Sequence, residues 1–267
     1  MISQVIKKLV IILVVAYAAI YPFVQHSPVE SSSESELDIE IGSVEKHISK
    51  KSHKNVHLPD FASIRDVKEK KHAFFTFMKP FVLEVNEELG RHRAFVESFS
   101  PQSKNASDKK RFLALAKKYR IKELDDLHKV KAELLTRVDI IPVDLVLMQA
   151  ANESGWGTSR FALEANNLFG QWCFTKGCGV IPTGRPAGKT YEVRKFATPA
   201  DSIRSYFHNL NTGHAYAKLR QLRNQQRVNH DELDPYVIAE GLLPYSTRRE
   251  AYVEEIQEML RFNQKYM

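Results

Sequence analysis

Glu153 is the residue of this sequence best placed to do acid–base chemistry. It closes the apolar run "VDLVLMQAANE" and is followed at once by Ser154-Gly155-Trp156-Gly157. Glycines end helices, so this carboxyl is expected at a helix C-terminus, where the dipole disfavours negative charge. The apolar helix before it, Trp156 after it and Phe169 in "NNLFG" supply surroundings that keep a carboxyl protonated by desolvation. A carboxylic acid that still holds its proton near neutral pH can protonate a leaving oxygen, as the breaking of a glycosidic bond requires. The glycines would let backbone approach a sugar closely, and Trp or Phe rings can stack on pyranose faces.

Other candidate chemistries fail on spacing. "GRPAGKT", Gly184 to Thr190, has three residues between its glycines where a phosphate-binding loop needs four. "NESGW" puts Asn152 and Trp156 where a serine nucleophile elbow requires glycines. The histidines form no H-E-x-x-H pair, and no metal or organic cofactor is expected. "RQLRNQQR" lies on a helical stretch with little aromatic interleaving and reads as a solvated face, not a nucleic-acid groove. Cys173 and Cys178 stand close together in "CFTKGC". In an exported chain they can close a small disulfide loop; free thiols are the alternative, and a metal would need further ligands.

The elements that must position Glu153 follow from patterning. "IPVDLVLMQAANES" reads as a helix with Pro142 in its first turn. Gly170 to Phe196, rich in glycine, proline and β-branched residues, reads as a small β-hairpin lobe or long loop. Thr198-Pro199-Ala200-Asp201 caps a helix that carries Ile203, Tyr206, Phe207 and Leu210 on one face. Thr247 and Glu250 are spaced as a capping box before Tyr252, Val253, Ile256, Met259 and Leu260. Residues 58–137 read as an accessory helical pair whose Phe-rich face belongs to a core. Residues 27–57 are polar and Ser-rich, a flexible tether. Lys7-Lys8 precede the uncharged run Leu9 to Val24, a signal peptide or a retained anchor in residues 1–26, and everything after it is expected to be exported. The formal net charge of +7 suits an anionic partner without choosing among nucleic acid, membrane surface and wall polymer.

"QAANESGWGTSRFALEANNLFG" closely resembles the signature of the bacterial glucosaminidase domain, glycoside hydrolase family seventy-three, which includes the flagellar rod-cap muralytic domain. The likeness continues through "KFATPADSIRSYFHNL" and "LPYSTRREAYVEEIQEML", over residues 138–262. The upstream helices and "NNLFGQWCFTKGCG" look more specifically like the Bax proteins of Gram-negative bacteria. The resemblance implies an α+β, mainly helical, lysozyme-like domain over residues 138–267 with a small β-lobe. It also implies an endo-β-N-acetylglucosaminidase acting on peptidoglycan glycan strands in the cell envelope, on the periplasmic side and tethered to the inner membrane. Glu153 carries over as general acid. The family often places a second acid in the β-lobe, where Glu192 is the only candidate; pairing with Arg194 or Lys195 is its structural alternative. Without a second acid, the N-acetyl group of the substrate could act as internal nucleophile. Tyr245 matches a family tyrosine proposed to sit near that N-acetyl group, although Ser246-Thr247-Arg248 departs from the family pattern there. Tyr252 matches a later tyrosine expected in the core. Trp156, Asn167, Phe169 and Trp172 are candidates to line the sugar groove. A lytic transglycosylase on the same fold and a non-catalytic wall-binding domain are the alternatives.

Overall fold

The computed structural model describes residues 56–267. The expected signal or anchor over residues 1–26 and nearly all of the 27–57 tether lie outside the described residues. Among those described, no helix is long and apolar enough to cross a membrane.

The accessory segment forms three helices instead of a pair: α1 (Val67–Ser98), α2 (Ala106–Lys118) and α3 (Leu127–Arg137). The third arises because Asp126 caps a start that charge-rich residues obscure in the sequence, its carboxylate accepting from His128 and Lys129 backbone amides. The phenylalanines of α1 are core, as the pattern suggested: Phe74, Phe75 and Phe81 are buried. They do not form a core of their own. One continuous cluster runs from Phe61 through α1, the buried face of α4 (Val143–Ser154) and on to Leu260. Leu145 to Ala151 are all buried, so α4 is the central helix and is covered on every side.

The remaining elements surround α4. They are α5 (Arg160–Ala165), α6 (Pro199–Thr212), α7 (Ala217–Val228), α8 (Pro235–Ala239), a 3-10 segment at Glu240–Tyr245, and α9 (Glu250–Asn263). The Thr198–Asp201 capping box of α6 is present, with both reciprocal bonds formed. The expected box at Thr247 and Glu250 is not. Arg249, at φ 48°, occupies the cap position of α9 without a side-chain cap bond, because the chain reverses through a turn closed by the Ser246 carbonyl and hydroxyl. That turn takes Thr247 away from the helix end.

Between α5 and α6 lies the small lobe. It is a three-stranded antiparallel sheet in the order β1 (Trp172–Cys173), β3 (Glu192–Arg194), β2 (Gly179–Val180), with Cys173 opposite Glu192 and Gly179 opposite Arg194. Cys173 and Cys178 are joined in a disulfide.

The arginines of "RQLRNQQR" are not a solvated face. Arg223 is fully buried on α7, and Arg220 nearly so. Asp139, in the link between α3 and α4, accepts both Arg227 nitrogens at 2.9 and 3.1 Å, and Arg93 of α1 reaches it at 3.1 Å. Burial alone would raise the Asp139 pKa; the Arg227 hydrogen bonds with the Arg223 and Arg93 charges hold it below the usual range. Backbone carbonyls of Thr136, Arg137 and Ile140 accept the remaining Arg223 protons. A sequence pattern shows the charges on a helix but not the distant carboxylate that neutralises them.

Candidate active site

Glu153 sits in the last turn of α4, at the negative end of its dipole. The turn beyond it is unusual: Gly155, Trp156 and Gly157 all have positive φ, at 56°, 58° and 77°. Glycine adopts this readily, and the Trp156 conformation is one a bulky residue rarely takes. Ser154 holds the turn together. Its hydroxyl donates to the Ala150 carbonyl and accepts from the Gly157 amide at 2.8 Å, while its carbonyl accepts from Ser159. A Cβ at Gly157 would stand 2.6 Å from the Phe61 ring, so the segment ahead of α1 closes over this loop.

That packing decides where Trp156 goes. Its ring lies edge-on to Phe74 and Phe75 at 5.8 and 5.3 Å, with Lys71 Nζ 5.0 Å over it, all on α1. These contacts fasten the turn to the accessory helix. They point Trp156 at the core, not at a groove.

The "NNLFG" turn lies on the other side of Glu153. Asn166 ends α5 at φ 50° and donates to the Phe196 carbonyl. Asn167 is buried as a bracket: its amide donates to the carbonyls of Gln171 and Arg194, and its oxygen accepts from the amides of Phe169 and Gln171. Phe169 is buried and stacks on Tyr206 at 4.0 Å. Both residues therefore shape the turn from inside. Gly170, at φ 64°, completes it, and a Cβ there would lie 3.8 Å from Glu153 Oε2. Glu153 as a whole is half-buried.

Glu153 Oε1 accepts the Tyr252 hydroxyl at 2.8 Å. Gln149, one helical turn before Glu153, donates its amide to the Tyr252 oxygen at 3.0 Å and accepts the Tyr206 hydroxyl. Tyr245 stacks on Tyr252, ring centroids 5.5 Å apart, and donates to the Phe169 carbonyl at 3.0 Å. Desolvation pushes the Glu153 pKa up to about 7; the Tyr252 hydrogen bond lowers it somewhat, and Glu255 raises it again. The carboxyl thus holds a proton near neutrality, as a general acid must.

Glu192 is in the opposite situation. It is 3% exposed, and its two oxygens accept the Gly177 and Gly179 amides at 3.0 and 2.8 Å. Those two hydrogen bonds hold its pKa below the ordinary carboxylate range, with smaller help from Arg185 and Lys176. Neither Arg194 nor Lys195 is the partner; the backbone amides of Gly177, inside the disulfide-closed loop, and of Gly179, just beyond it, are. Trp172 is half-buried on β1 and meets Tyr191 edge-on at 4.9 Å, leaving part of its surface free on the lobe.

Among the sequence-derived candidates, Glu153, Phe169 and Tyr245 are thus joined in one cluster, with Asn167 bracing the turn that carries Phe169. Trp156, Trp172 and Glu192 have other partners. Gln149, Tyr206 and Tyr252 also belong to the cluster; from sequence, Tyr252 is expected in the core, Tyr206 on the apolar face of its helix, and Gln149 is not singled out. One signal for Gln149 was available: it stands four residues before Glu153, on the same helix face. No comparable spacing links Tyr206 or Tyr252 to it.

Comparison with known proteins agrees with this geometry. The family model Glucosaminidase, described as mannosyl-glycoprotein endo-beta-N-acetylglucosaminidase, matches residues 128–265, from α3 to the end of α9. The protein bax of Escherichia coli (strain K12) is 32% identical over 225 residues, which cover 84% of this chain and 80% of that protein. No solved structure matches.

Proposed function

The chain belongs to the glucosaminidase family, an enzyme of glycoside hydrolase type with a lysozyme-like fold, and on that premise we propose that it cuts peptidoglycan glycan strands beside N-acetylglucosamine, with Glu153 as general acid. The observation that carries this reading is the Glu153 carboxyl itself: half-buried at a helix C-terminus, with a pKa pushed up to about 7 by desolvation, and with Oε2 beside Gly170 and outside the Tyr252 bond.

In the first step the Glu153 proton passes to the leaving glycosidic oxygen. The C1–O bond breaks with its electron pair going to that oxygen. The carbonyl oxygen of the substrate's N-acetyl group bonds to C1. In the second step water attacks C1, the bond from C1 to the acetamide oxygen breaks with its electron pair returning to that oxygen, and Glu153, now a carboxylate, takes the water proton and is restored. Both Glu192 oxygens already accept amides, which supports giving Glu192 the role of holding the lobe loop and giving the internal nucleophile's role to the substrate. Tyr245 supports the "NNLFG" turn from its hydroxyl and packs flat on Tyr252, at the edge of the same cluster. Exposure to the wall from the periplasmic side of the inner membrane is part of the proposal. It rests on Lys7, Lys8 and the apolar run after them, and membrane fractionation of cells expressing the full-length chain checks it.

The test is to incubate the full-length protein with purified sacculi and identify the products by mass spectrometry. New reducing N-acetylglucosamine ends, absent with Glu153→Gln, are expected. Anhydro-muramic ends would replace the hydrolase by a transglycosylase, and binding without cleavage would overturn both.

A further inference from the structure

The hydrogen bonds behind Glu153 have a direction, and the direction has a consequence for which oxygen carries the acidic proton. An amide nitrogen can only donate, and an amide oxygen can only accept. Gln149 donates from Nε2 to the Tyr252 oxygen at 3.0 Å, and its Oε1 accepts the Tyr206 hydroxyl. With a lone pair of its oxygen engaged by Gln149, Tyr252 has its own hydrogen free for Glu153 Oε1, 2.8 Å away. All three residues behind the carboxyl are buried, Gln149 completely. Water therefore does not compete for these bonds, and each orientation is passed to the next.

We infer that Tyr252 is a positioning residue which, held in direction by Gln149 and Tyr206, confines the transferable proton of Glu153 to Oε2. A neutral carboxyl has one oxygen bearing hydrogen, and Oε1 is already an acceptor. Oε2 is the oxygen beside Gly170 and the one that the Tyr252 bond leaves unengaged. The chain Tyr206–Gln149–Tyr252 thus aims the acid. Once the proton has left, the same Tyr252 bond steadies the carboxylate that remains. With the Gln149 amide turned over, Tyr252 would donate to Gln149 instead. The Glu153 proton would then be spent on Tyr252 and not on a substrate oxygen. This inference rests on Glu153 being the acid of the proposed reaction.

The titratable groups around Glu153 are Tyr252 and Glu255 from α9, Tyr206 from α6, Tyr245 from the 3-10 segment and Tyr216 from the turn before α7. From α1, Lys71 lies over the Trp156 ring and donates to Asn263. All the phenols are buried and stay protonated, since desolvation pushes each upward. Tyr252 is the one whose hydroxyl reaches the Glu153 carboxyl.

The experiment uses full-length protein labelled with 13C at glutamate carboxyls. The Glu153 resonance is assigned by its loss in Glu153→Gln. Tyr252→Phe removes one donor to the carboxylate and should raise the Glu153 midpoint by about one pH unit. The alkaline limb of cleavage should move with it, while kcat falls about tenfold and KM holds. Tyr206→Phe, one step further back, should shift the midpoint the same way by less. Gln149→Glu offers acceptors to both phenols and should shift it further than Tyr252→Phe. An unchanged midpoint in folded Tyr252→Phe would overturn the inference, leaving Tyr252 as packing alone. Should Tyr252→Phe not fold, an unchanged midpoint in Tyr206→Phe overturns it equally. The titration reads the proton without reference to cleavage: a shifted midpoint with an active Glu153→Gln enzyme would sink the proposed function and leave the hydrogen-bond chain intact.

Discussion

Two glutamates, the half-buried Glu153 and the buried Glu192, have surroundings that push them in opposite directions. Glu153 meets one phenol, an apolar helix and the negative end of a dipole, so its neutral form is favoured. Glu192 meets two backbone amides that point at its oxygens, so its ionised form is favoured. Desolvation is common to both; the donors supplied are not. A carboxyl that receives two amide hydrogens is held as an anion, and one that receives a single hydroxyl on one oxygen keeps the other unengaged. Under the proposed function, that difference separates an acid from a clamp.

The largest effect that would test this contrast is on cleavage. Glu153→Gln should lower the rate of glycan cleavage by at least about 10²–10⁴-fold, measured as release of reducing ends from sacculi. Comparable loss in Glu192→Gln would break the contrast. The next effect is on pH. Glu153 must be protonated to act, so activity should fall about tenfold per unit once pH rises past the Glu153 midpoint. A pH–rate profile of the parent protein checks both the sign and the position, about 7.

A smaller effect is expected at the clamp. Glu192→Gln keeps one accepting oxygen and loses the charge, so activity should fall less than about tenfold with no movement of the alkaline limb. The loop from Cys173 to Cys178 should exchange its amide hydrogens faster, since Gly177 and Gly179 lose their charged acceptor. Replacing both cysteines by alanine should cost about 2 kcal/mol from loop-closure entropy, read by thermal unfolding, and should likewise leave the limb in place.

The smallest effect is on stability. Because the folded-state pKa of Glu153 is raised, its contribution is fully present below the unfolded value and is lost as pH rises through about 7. Glu153→Gln has no such loss, so at pH 8 it should melt several degrees above the parent, with little difference at pH 4. For Glu192 the sign is opposite. Its depressed pKa gives stability above the unfolded value that is lost as pH falls through the folded one.

What the sequence made legible was local. Glu153, its helix and the glycine turn stand in one stretch, so spacing alone placed the acid at a helix end. The α6 capping box and the disulfide were within reach for the same reason: few residues separate the partners. Trp156 stands between groove lining and plain packing in the sequence because nothing nearby decides; its partners Phe74, Phe75 and Lys71 come from α1. Arg223 looked solvated because Asp139, which pairs with it, lies in the link before α4. Tyr252 looked like core, and its ring is; only its hydroxyl reaches the site. In each case the missing information was a contact between distant segments, which periodicity does not carry.

The most direct measurement of the central claim follows both glutamates in one sample. The 13C-carboxyl resonances of the full-length protein are titrated between pH 3 and pH 9 and assigned by Glu153→Gln and Glu192→Gln. The account predicts that Glu153 titrates near 7 while Glu192 titrates below the ordinary carboxylate range. Two midpoints together at the ordinary value, or Glu192 above Glu153, would contradict it.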